Sequence, residues 1–354
     1  MSLHQKTQQQ KTLRKKIGSI AAVAAAAALA LTGCVPGEGS AIGTPDPGES
    51  STWSTTTLSI DFATYNPLSL VIKEKRWLEE SLDGVTVEWL QSAGSNKANE
   101  ALRAGSVDVG STAGSAALLA RSNASPTQVI ALYSQPEWAA IVVAADSPIQ
   151  TVEDLRGKHV AATKGTDPYF FLLQTLEQAG IGLDEVTIEN LQHADGGNAL
   201  VTGAVDAWSG LDPIMAAAEI EHGARLIYRN IDFNTYGFLN ATEDFINNHA
   251  DVAQVVVNAY EKARLWAIAN PEETAQILAQ YAGIDIEVAR KVLIERTNFE
   301  VNKPGQKQKD VLAIVGPIFV DSDDVASQAD IDKALAELFN DSFYANLDPE
   351  SIDD

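Results

Sequence analysis

Short apolar runs alternate with amphipathic helical stretches along most of the chain. Thr57–Phe62 alternates apolar and polar residues, as a half-buried strand does, whereas Trp138–Ala145 is apolar throughout, as strands covered on both faces are. Leu68–Leu78 is the first of the helical stretches between such strands. Beyond Asp244 the pattern is mostly helical. This alternation of strands and helices predicts an α/β fold.

One short pattern occurs twice. Ala101–Asp108 and Ala199–Asp206 both read A-L-x-x-G-x-V-D. In each copy a helix ends, a glycine supplies a turn at which a positive φ costs little, and a short strand with an aspartate follows. We interpret the copies as equivalent units of two similar α/β lobes, although chance could also produce so short a match. A ligand between such lobes would contact loops of both.

The amino-terminal segment has the features of a secretory signal. Residues 1–16 are polar and basic, Ile17–Leu31 is apolar, and Leu-Thr-Gly precedes Cys34. The apolar run is shorter than the roughly 20 residues of a comfortable membrane span. Leu-Thr-Gly-Cys resembles a bacterial lipobox, which implies cleavage before Cys34 and lipidation of its thiol. A plain signal peptide with a stray cysteine is the alternative.

The expected order of segments is a signal peptide over 1–33 and then a lipidated flexible tether over 34–56. The tether is rich in Gly, Pro, Ser and Thr, a composition that does not form a packed core. The lipid would hold the protein at the extracytoplasmic face of the cell membrane.

Composition and charge argue against several classes of partner and site. The formal net charge is −23, from 48 acidic and 25 basic residues, which argues against nucleic acid as a partner. Cys34 is the only cysteine, and the five histidines are scattered without ligand spacing. We therefore expect no intrachain disulfide, no metal site and no cofactor.

Several segments in the middle of the chain carry a family resemblance. They are Val143–Ile149 with Thr151–Gly157, Lys164-Gly165-Thr166, Val205–Trp208 and Asp212-Pro213. Together they resemble the aliphatic-sulfonate-binding proteins of ABC importers, within a wider group that includes taurine, nitrate and thiamine-precursor binders. The resemblance extends from about Thr57 to about Leu347.

The resemblance implies a two-lobed periplasmic-binding-protein-like fold of type II. Each lobe would be a mainly parallel sheet flanked by helices. Lobe 1 would comprise 57–143 plus 236–354, and lobe 2 would comprise 144–235. Two hinge crossings, at Trp138–Ala145 and Thr235–Asn240, would let the lobes close over a ligand.

The resemblance also places ligand-binding residues in the loops that face the cleft. They are Thr64, Tyr65, Asn66, Gly114, Ser115, Lys164, Gly165, Thr166, Tyr169, Trp208 and Asp212. The structural alternative for Trp208 is a core aromatic, and that for Asp212 is part of a helix start. Asp167 lies in a stretch where these proteins often carry serine, and its carboxylate is unfavourable near an anion site unless it points away as a helix cap.

The proposed loops contain no arginine. We therefore expect backbone N–H groups, at helix starts near Ser115 and Thr166, to bind a monovalent organic anion. Tyr65, Tyr169 and Trp208 would line an apolar wall for its tail.

The resemblance implies the extracytoplasmic solute-binding component of an ABC importer, with an aliphatic sulfonate as the first choice of ligand. Nitrate, taurine and a thiamine-precursor pyrimidine are the alternatives. The expected partners are a membrane permease and its ATPase, and we expect a monomer. A secreted enzyme on this fold ranks below, because Gly110–Gly114 puts Thr112 at the nucleophile position of a G-x-S-x-G pattern.

Overall fold

The computed structural model describes residues 53–354. The predicted signal peptide, Cys34 and most of the predicted tether lie outside these residues. Within the last part of the tether, the Ser54 backbone N–H donates to Asp251 Oδ2 at 2.8 Å. Ser54 is therefore fixed to the start of a later helix. None of the helices in the described part is long and apolar enough to cross a membrane.

Strands account for two sheets in this part of the chain. They are β1 (Thr57–Phe62), β2 (Thr86–Gln91), β3 (Val109–Ala113), β4 (Thr127–Pro136), β5 (Ile141–Val143), β6 (His159–Ala162), β7 (Thr187–Asn190), β8 (Ala207–Ser209), β9 (Arg225–Tyr228), β10 (Gly237–Thr242) and β11 (Thr297–Asn298).

The two sheets have matching strand orders. The first sheet runs β11-β4-β10-β3-β1-β2 and the second runs β7-β6-β8-β5-β9. In the first, β1 is parallel to β2 and β3, while β10 is antiparallel to β3 and β4. In the second, β6 is parallel to β7 and β8, while β5 is antiparallel to β8 and β9. Each sheet is thus mainly parallel with one reversed strand inserted, and the short edge strand β11 of the first sheet is also antiparallel to its neighbour β4. This arrangement confirms the predicted fold class.

Helices connect the strands and form most of the carboxy-terminal part. They are α1 (Pro67–Lys75), α2 (Trp77–Ser81), α3 (Ser95–Ala104), α4 (Gly114–Ser122), α5 (Asp167–Gln178), α6 (His193–Val201), α7 (Ile214–His222), α8 (Glu243–Asn248), α9 (Ala250–Ala269), α10 (Pro271–Ala282), α11 (Ile286–Arg290), α12 (Gln306–Asp321) and α13 (Gln328–Glu337). A π-helical turn, Lys291–Glu295, continues α11.

The two sequence copies adopt the same local structure. The Asp108 N–H donates to Ser59 O at 2.7 Å, and Asp108 Oδ2 accepts from the Ser59 N–H at 2.8 Å. The Asp206 N–H donates to His159 O at 2.9 Å, and Asp206 Oδ2 accepts from the His159 N–H at 2.9 Å. Each aspartate therefore holds the third strand of its unit to the first, which supports the interpretation of the copies as equivalent units.

Packing brings the carboxy-terminal helices against both sheets. Phe319 of α12 lies 4.3 Å, centroid to centroid, from Phe170 of α5, and both rings are almost fully buried. Trp77 stacks edge-on against Trp266 of α9 at 6.4 Å. The Phe170–Phe319 contact therefore joins the two lobes by buried apolar surface, in addition to the chain crossings.

Three local predictions were wrong. The helix expected over Leu68–Leu78 breaks at Arg76, which has a left-handed φ of 58° and ends α1. The strand expected to contain Asp108 begins only after it and covers Val109–Ala113, where it pairs with β10. The apolar run Trp138–Ala145 forms a strand only at Ile141–Val143, since Trp138 and Ala140 lie where the chain passes between the sheets.

Candidate functional site

The two sheets are connected by two short crossings. Residues 137–140 join β4 to β5, and residues 229–236 join β9 to β10. The first crossing therefore ends earlier than the predicted Trp138–Ala145, because β5 belongs to the second sheet. The second crossing begins and ends earlier than the predicted Thr235–Asn240, because β10 belongs to the first sheet. The changeover at Ile141 also precedes the predicted lobe limit at residue 143.

The crossings are tied to one another. The Ala139 N–H donates to Asn234 Oδ1 at 2.8 Å. Arg229 Nε and Nη2 donate to the two carboxylate oxygens of Glu137 at 2.8 and 2.6 Å. Side-by-side crossings of this kind form the floor of a cleft between the lobes.

Asp167, the first residue of α5, lies buried between the lobes. Its Oδ1 accepts from Ser115 Oγ at 2.5 Å and from Thr235 Oγ1 at 2.7 Å. Its Oδ2 accepts from Trp138 Nε1 and from the Thr235 N–H, both at 2.8 Å. Burial raises the pKa of the Asp167 carboxyl, and these four hydrogen bonds act against that rise. The carboxylate therefore does not point away, which is the orientation that the sequence analysis required of it beside an anion site.

An aromatic wall stands beside this carboxylate. Trp138 lies 6.3 Å from the ring of Tyr65 and 6.5 Å from that of Tyr133, centroid to centroid. The Tyr65 hydroxyl donates to Ser111 O at 2.9 Å. Ser111 in turn donates from its N–H and its hydroxyl to Asp61 Oδ1, both at 2.9 Å. Burial raises the pKa of Asp61 to about 7, against the lowering effect of these serine hydrogen bonds.

A narrow cavity opens between this wall and the carboxy-terminal helices. It has room for roughly one water molecule in this closed arrangement. A larger ligand therefore requires the lobes to part before it enters. The residues that line the cavity include Thr64, Tyr65, Ser134, Glu137, Trp138, Asp212, Arg296 and Thr297.

Arg296 is a buried cation at this cavity that the sequence analysis missed. Arg296 Nη1 lies 3.1 Å from both carboxylate oxygens of Asp212, and Nη2 bonds Glu219. The side chains of Arg296 and Asp212 are only 2% and 3% exposed. Burial raises the pKa of Asp212 to about 6, although Arg296 acts in the opposite direction. The pair connects the chain near β11 of the first sheet to the loop after β8 of the second.

Four predicted ligand residues line the cleft or touch Asp167. Thr64, Tyr65 and Asp212 line the cavity, and Ser115 bonds Asp167. Gly114, next to Ser115, donates its N–H to Tyr236 O at 2.8 Å. The Ser115 N–H donates to Thr235 Oγ1 at 3.1 Å. The start of α4 therefore already has partners for the N–H groups that we expected an anion to use.

The residues at the start of α5 are also engaged within the protein. The Thr166 hydroxyl donates to Thr163 O at 2.6 Å. Lys164 is exposed, with its ammonium 5.7 Å from the centre of the Tyr169 ring, while Gly165 has a positive φ of 77°. Tyr169 is 4% exposed, and burial raises its pKa to about 12. Their role toward a ligand stays a prediction.

Two further predicted residues have structural roles. Asn66 Oδ1 accepts from the Ser69 N–H at 3.3 Å, which caps α1, and Asn66 Nδ2 donates to the Tyr260 hydroxyl at 3.0 Å. Trp208 is fully buried in β8 and packs with Val142 and other residues in the core of the second sheet. The alternative of a core aromatic therefore describes Trp208 in this structure.

Metal chemistry finds no support in this part of the chain. Across residues 53–354, no three His, Cys, Asp or Glu side chains lie close enough together to hold a metal ion.

Two sheets of matching order, two short crossings and a buried polar cleft between them define a two-lobed binding-protein fold. The chain belongs to the NMT1/THI5-like family, whose model matches residues 69–274.

Individual relatives agree with this assignment. A protein of Escherichia coli (strain K12), named as an aliphatic sulfonates-binding protein, is 29% identical over 229 residues, which cover 64% of this chain and 72% of the relative. The crystal structure of the periplasmic aliphatic sulphonate binding protein SsuA from Escherichia coli is 25% identical, with a TM-score of 0.70, over 81% of this chain and 93% of the other.

Two other solved structures share the fold alone. The alkanesulfonate-binding protein SsuA from Xanthomonas axonopodis pv. citri, bound to MOPS, is 22% identical with a TM-score of 0.72, over 79% of this chain and 98% of the other. The desulfurization enzyme DSZB is 15% identical with a TM-score of 0.62, over 82% of this chain and 98% of the other. Since the fold occurs in a binder and in an enzyme, function has to be argued from the cleft.

Proposed function

We propose that the protein is the extracytoplasmic solute-binding component of an ABC importer, and that it captures a small organic anion, an aliphatic sulfonate. Membership of the NMT1/THI5-like family and relatives named for sulfonate binding support this proposal. A membrane permease and its ATPase would be the partners, and the closed form would dock on the permease.

The main observation is that the closed cleft surrounds a buried negative charge with uncharged hydrogen-bond donors. Two hydroxyls, one indole N–H and one backbone N–H converge on a single buried carboxylate. Among the described residues, no lysine or arginine is hydrogen-bonded to that carboxylate. Uncharged donors of this kind suit a monovalent anion, because a divalent one would need more compensation for its lost hydration.

The aromatic wall favours an anion with an organic tail over nitrate. Tyr65, Tyr133 and Trp138 lie together beside the donors, and their rings offer apolar surface to a carbon chain. Nitrate has no such chain to bury. Taurine would also bring an ammonium group, and the acids at the cavity, Glu137 and Asp212, are already paired with Arg229 and Arg296.

Binding without chemistry is the second part of the proposal. The Thr112 hydroxyl, at the nucleophile position of the near G-x-S-x-G pattern, donates to Ala113 O at 2.9 Å. No histidine is bonded to that hydroxyl among the hydrogen bonds of the described residues. A Thr–His nucleophile of the hydrolase type is therefore not assembled here.

Mass spectrometry of the small molecule released from the purified, denatured protein tests this function. We expect an organosulfonate, and we expect it to be recovered unchanged after prolonged incubation with the native protein. A neutral pyrimidine, or conversion of an added sulfonate to another compound, would contradict the proposal.

A further inference from the structure

Asp167 has the hydrogen-bonding environment that a bound anion would have. It is 1% exposed, and both oxygens of its carboxylate accept two hydrogen bonds. All four donors come from outside its own helix. Ser115 begins α4 in the first lobe, Trp138 lies on one crossing and Thr235 lies on the other.

Among the hydrogen bonds of residues 53–354, Asp167 is the only charged acceptor that these four donors bond. The Ser115 and Thr235 hydroxyls are bonded to the same Oδ1, at 2.5 and 2.7 Å. Trp138 Nε1 is a donor only, so in the absence of Asp167 it would need another acceptor. A buried group of unpaired donors is costly, so an acceptor has to fill this position when the lobes are closed, and in this structure the acceptor is an anionic side chain.

The number of buried charges then limits how a ligand anion can bind. A second anion placed beside an ionised Asp167 would bury two like charges among uncharged donors. If the ligand instead takes the position of the carboxylate, and Asp167 turns toward water, the buried charge stays at one. Exchange is therefore the less costly route to an occupied, closed cleft.

We propose that Asp167 is an internal anion that competes with the ligand, and that an organic sulfonate binds by displacing its carboxylate from Ser115, Trp138 and Thr235. This inference rests on the proposed function. Displacement makes Asp167 a specificity-determining residue: it favours monovalent anions over divalent ones. Displacement also favours ligands with strongly acidic groups. A sulfonate stays ionised when it loses water, whereas burial raises the pKa of the Asp167 carboxyl.

The experiment removes the competing carboxylate. Asp167→Asn keeps the size but loses the charge, and Asp167→Ala removes the side chain in case the amide disturbs folding. Asp195→Asn is the matched control, because Asp195 is an exposed acid in the first turn of the neighbouring helix α6. Circular dichroism establishes that each variant is folded. Calorimetry with methanesulfonate then gives the affinities, and solution scattering without added ligand gives the radius of gyration.

We expect a folded Asp167 variant to bind methanesulfonate at least about tenfold more tightly than the natural protein, because self-occupied molecules no longer reduce the competent fraction. We also expect a larger radius of gyration without ligand, and no change in either quantity for Asp195→Asn. Equal or weaker binding by both folded Asp167 variants would overturn the inference.

Failure of the proposed function gives a different result. If neither the natural protein nor any variant binds methanesulfonate, the sulfonate assignment is wrong, and the scattering data alone decide about Asp167. Expansion of the Asp167 variants would support its role as the anion that closes the cleft, whereas an unchanged radius of gyration would refute it.

Discussion

Arg296 shows how one side chain can depend on partners far away in the sequence. It lies 84 residues from Asp212 and 77 from Glu219 along the chain, yet its guanidinium is buried between their carboxylates. A buried cation of this kind stabilises the contact between two lobes only while its charge is paired with that of the carboxylates. Loss of the pair is therefore expected to reduce the free energy of unfolding more than it reduces ligand affinity.

Substitution of Arg296 by methionine tests that expectation. The variant leaves Asp212 buried without its cation, and we expect a loss of about 3 kcal/mol in the free energy of unfolding at pH 7.5. Arg290→Gln on α11 is the control: Arg290 pairs with Glu272 and Glu287 at a far more exposed position, so its loss is expected to stay below about 1 kcal/mol.

The pH dependence of the Arg296→Met variant follows from Asp212. The folded-state pKa of Asp212 is about 6, above its ordinary value of 3.8, so protonation favours the folded state as pH falls through 6. Removal of Arg296 takes away an effect that lowers this pKa. The destabilisation measured by urea unfolding is therefore expected to be smaller at pH 5 than at pH 7.5. An equal loss at both values would contradict this account of the pair.

Single residues were the hardest part of the site to predict from sequence. The family resemblance placed Tyr65 and Ser115 in loops that follow strands, and in the structure Tyr65 lines the cavity while Ser115 bonds Asp167. Asp167 was noticed as unfavourable beside an anion site, but nothing local shows that Trp138 and Thr235 converge on its carboxylate. Arg296 gave no local signal, because its partners come together only when the carboxy-terminal helices pack against the second sheet.

At the scale of elements, the repeated pattern A-L-x-x-G-x-V-D was the most informative sequence feature. Each copy ends a helix, leads into a strand and uses its aspartate to bond the first strand of its own unit. The pattern is predictable because all of its interactions are local to one helix–strand unit and its neighbour. Strand limits were less predictable: Gly110 and Ala113 in β3 have weak strand propensity, and the strand is paired there with β10.

Asp206 offers a test of this structural role. Asp206→Ala removes the acceptor for the His159 N–H in the second sheet, and we expect a loss of about 1–2 kcal/mol in unfolding free energy. Asp206→Asn keeps an acceptor oxygen and is expected to lose clearly less. Ligand affinity should be the same in both variants. A tenfold loss of affinity with unchanged stability would show instead that Asp206 acts at the ligand site.

At the scale of the whole molecule, the fold class was predictable and the closed cleft was not. The order of residues along the chain shows the alternation of strands and helices, the repeated pattern and the segments with the family resemblance. The distance between the lobes depends on contacts such as Phe170–Phe319, which join α5 to α12 across a long stretch of sequence. Sequence pattern gives no measure of such contacts.

Anchoring to the membrane is a prediction about the whole protein. Cys34 lies outside the described residues, so this proposal rests on the Leu-Thr-Gly-Cys pattern alone. We expect Cys34→Ala to prevent lipidation, and the protein to be released to the medium or to accumulate as an unprocessed precursor. Fractionation of a bacterial host, with Ser40→Ala in the tether as control, measures this. Unchanged processing and membrane retention of Cys34→Ala would contradict lipid anchoring.

The central claim is that the cleft binds an organic anion through uncharged donors and an aromatic wall. A calorimetric series from nitrate through methanesulfonate to longer alkanesulfonates tests it most directly. We predict that affinity rises along the series, by at most about 0.8 kcal/mol for each methylene buried. The same affinity for every member, or tight binding only of a cation or a neutral pyrimidine, would contradict the account.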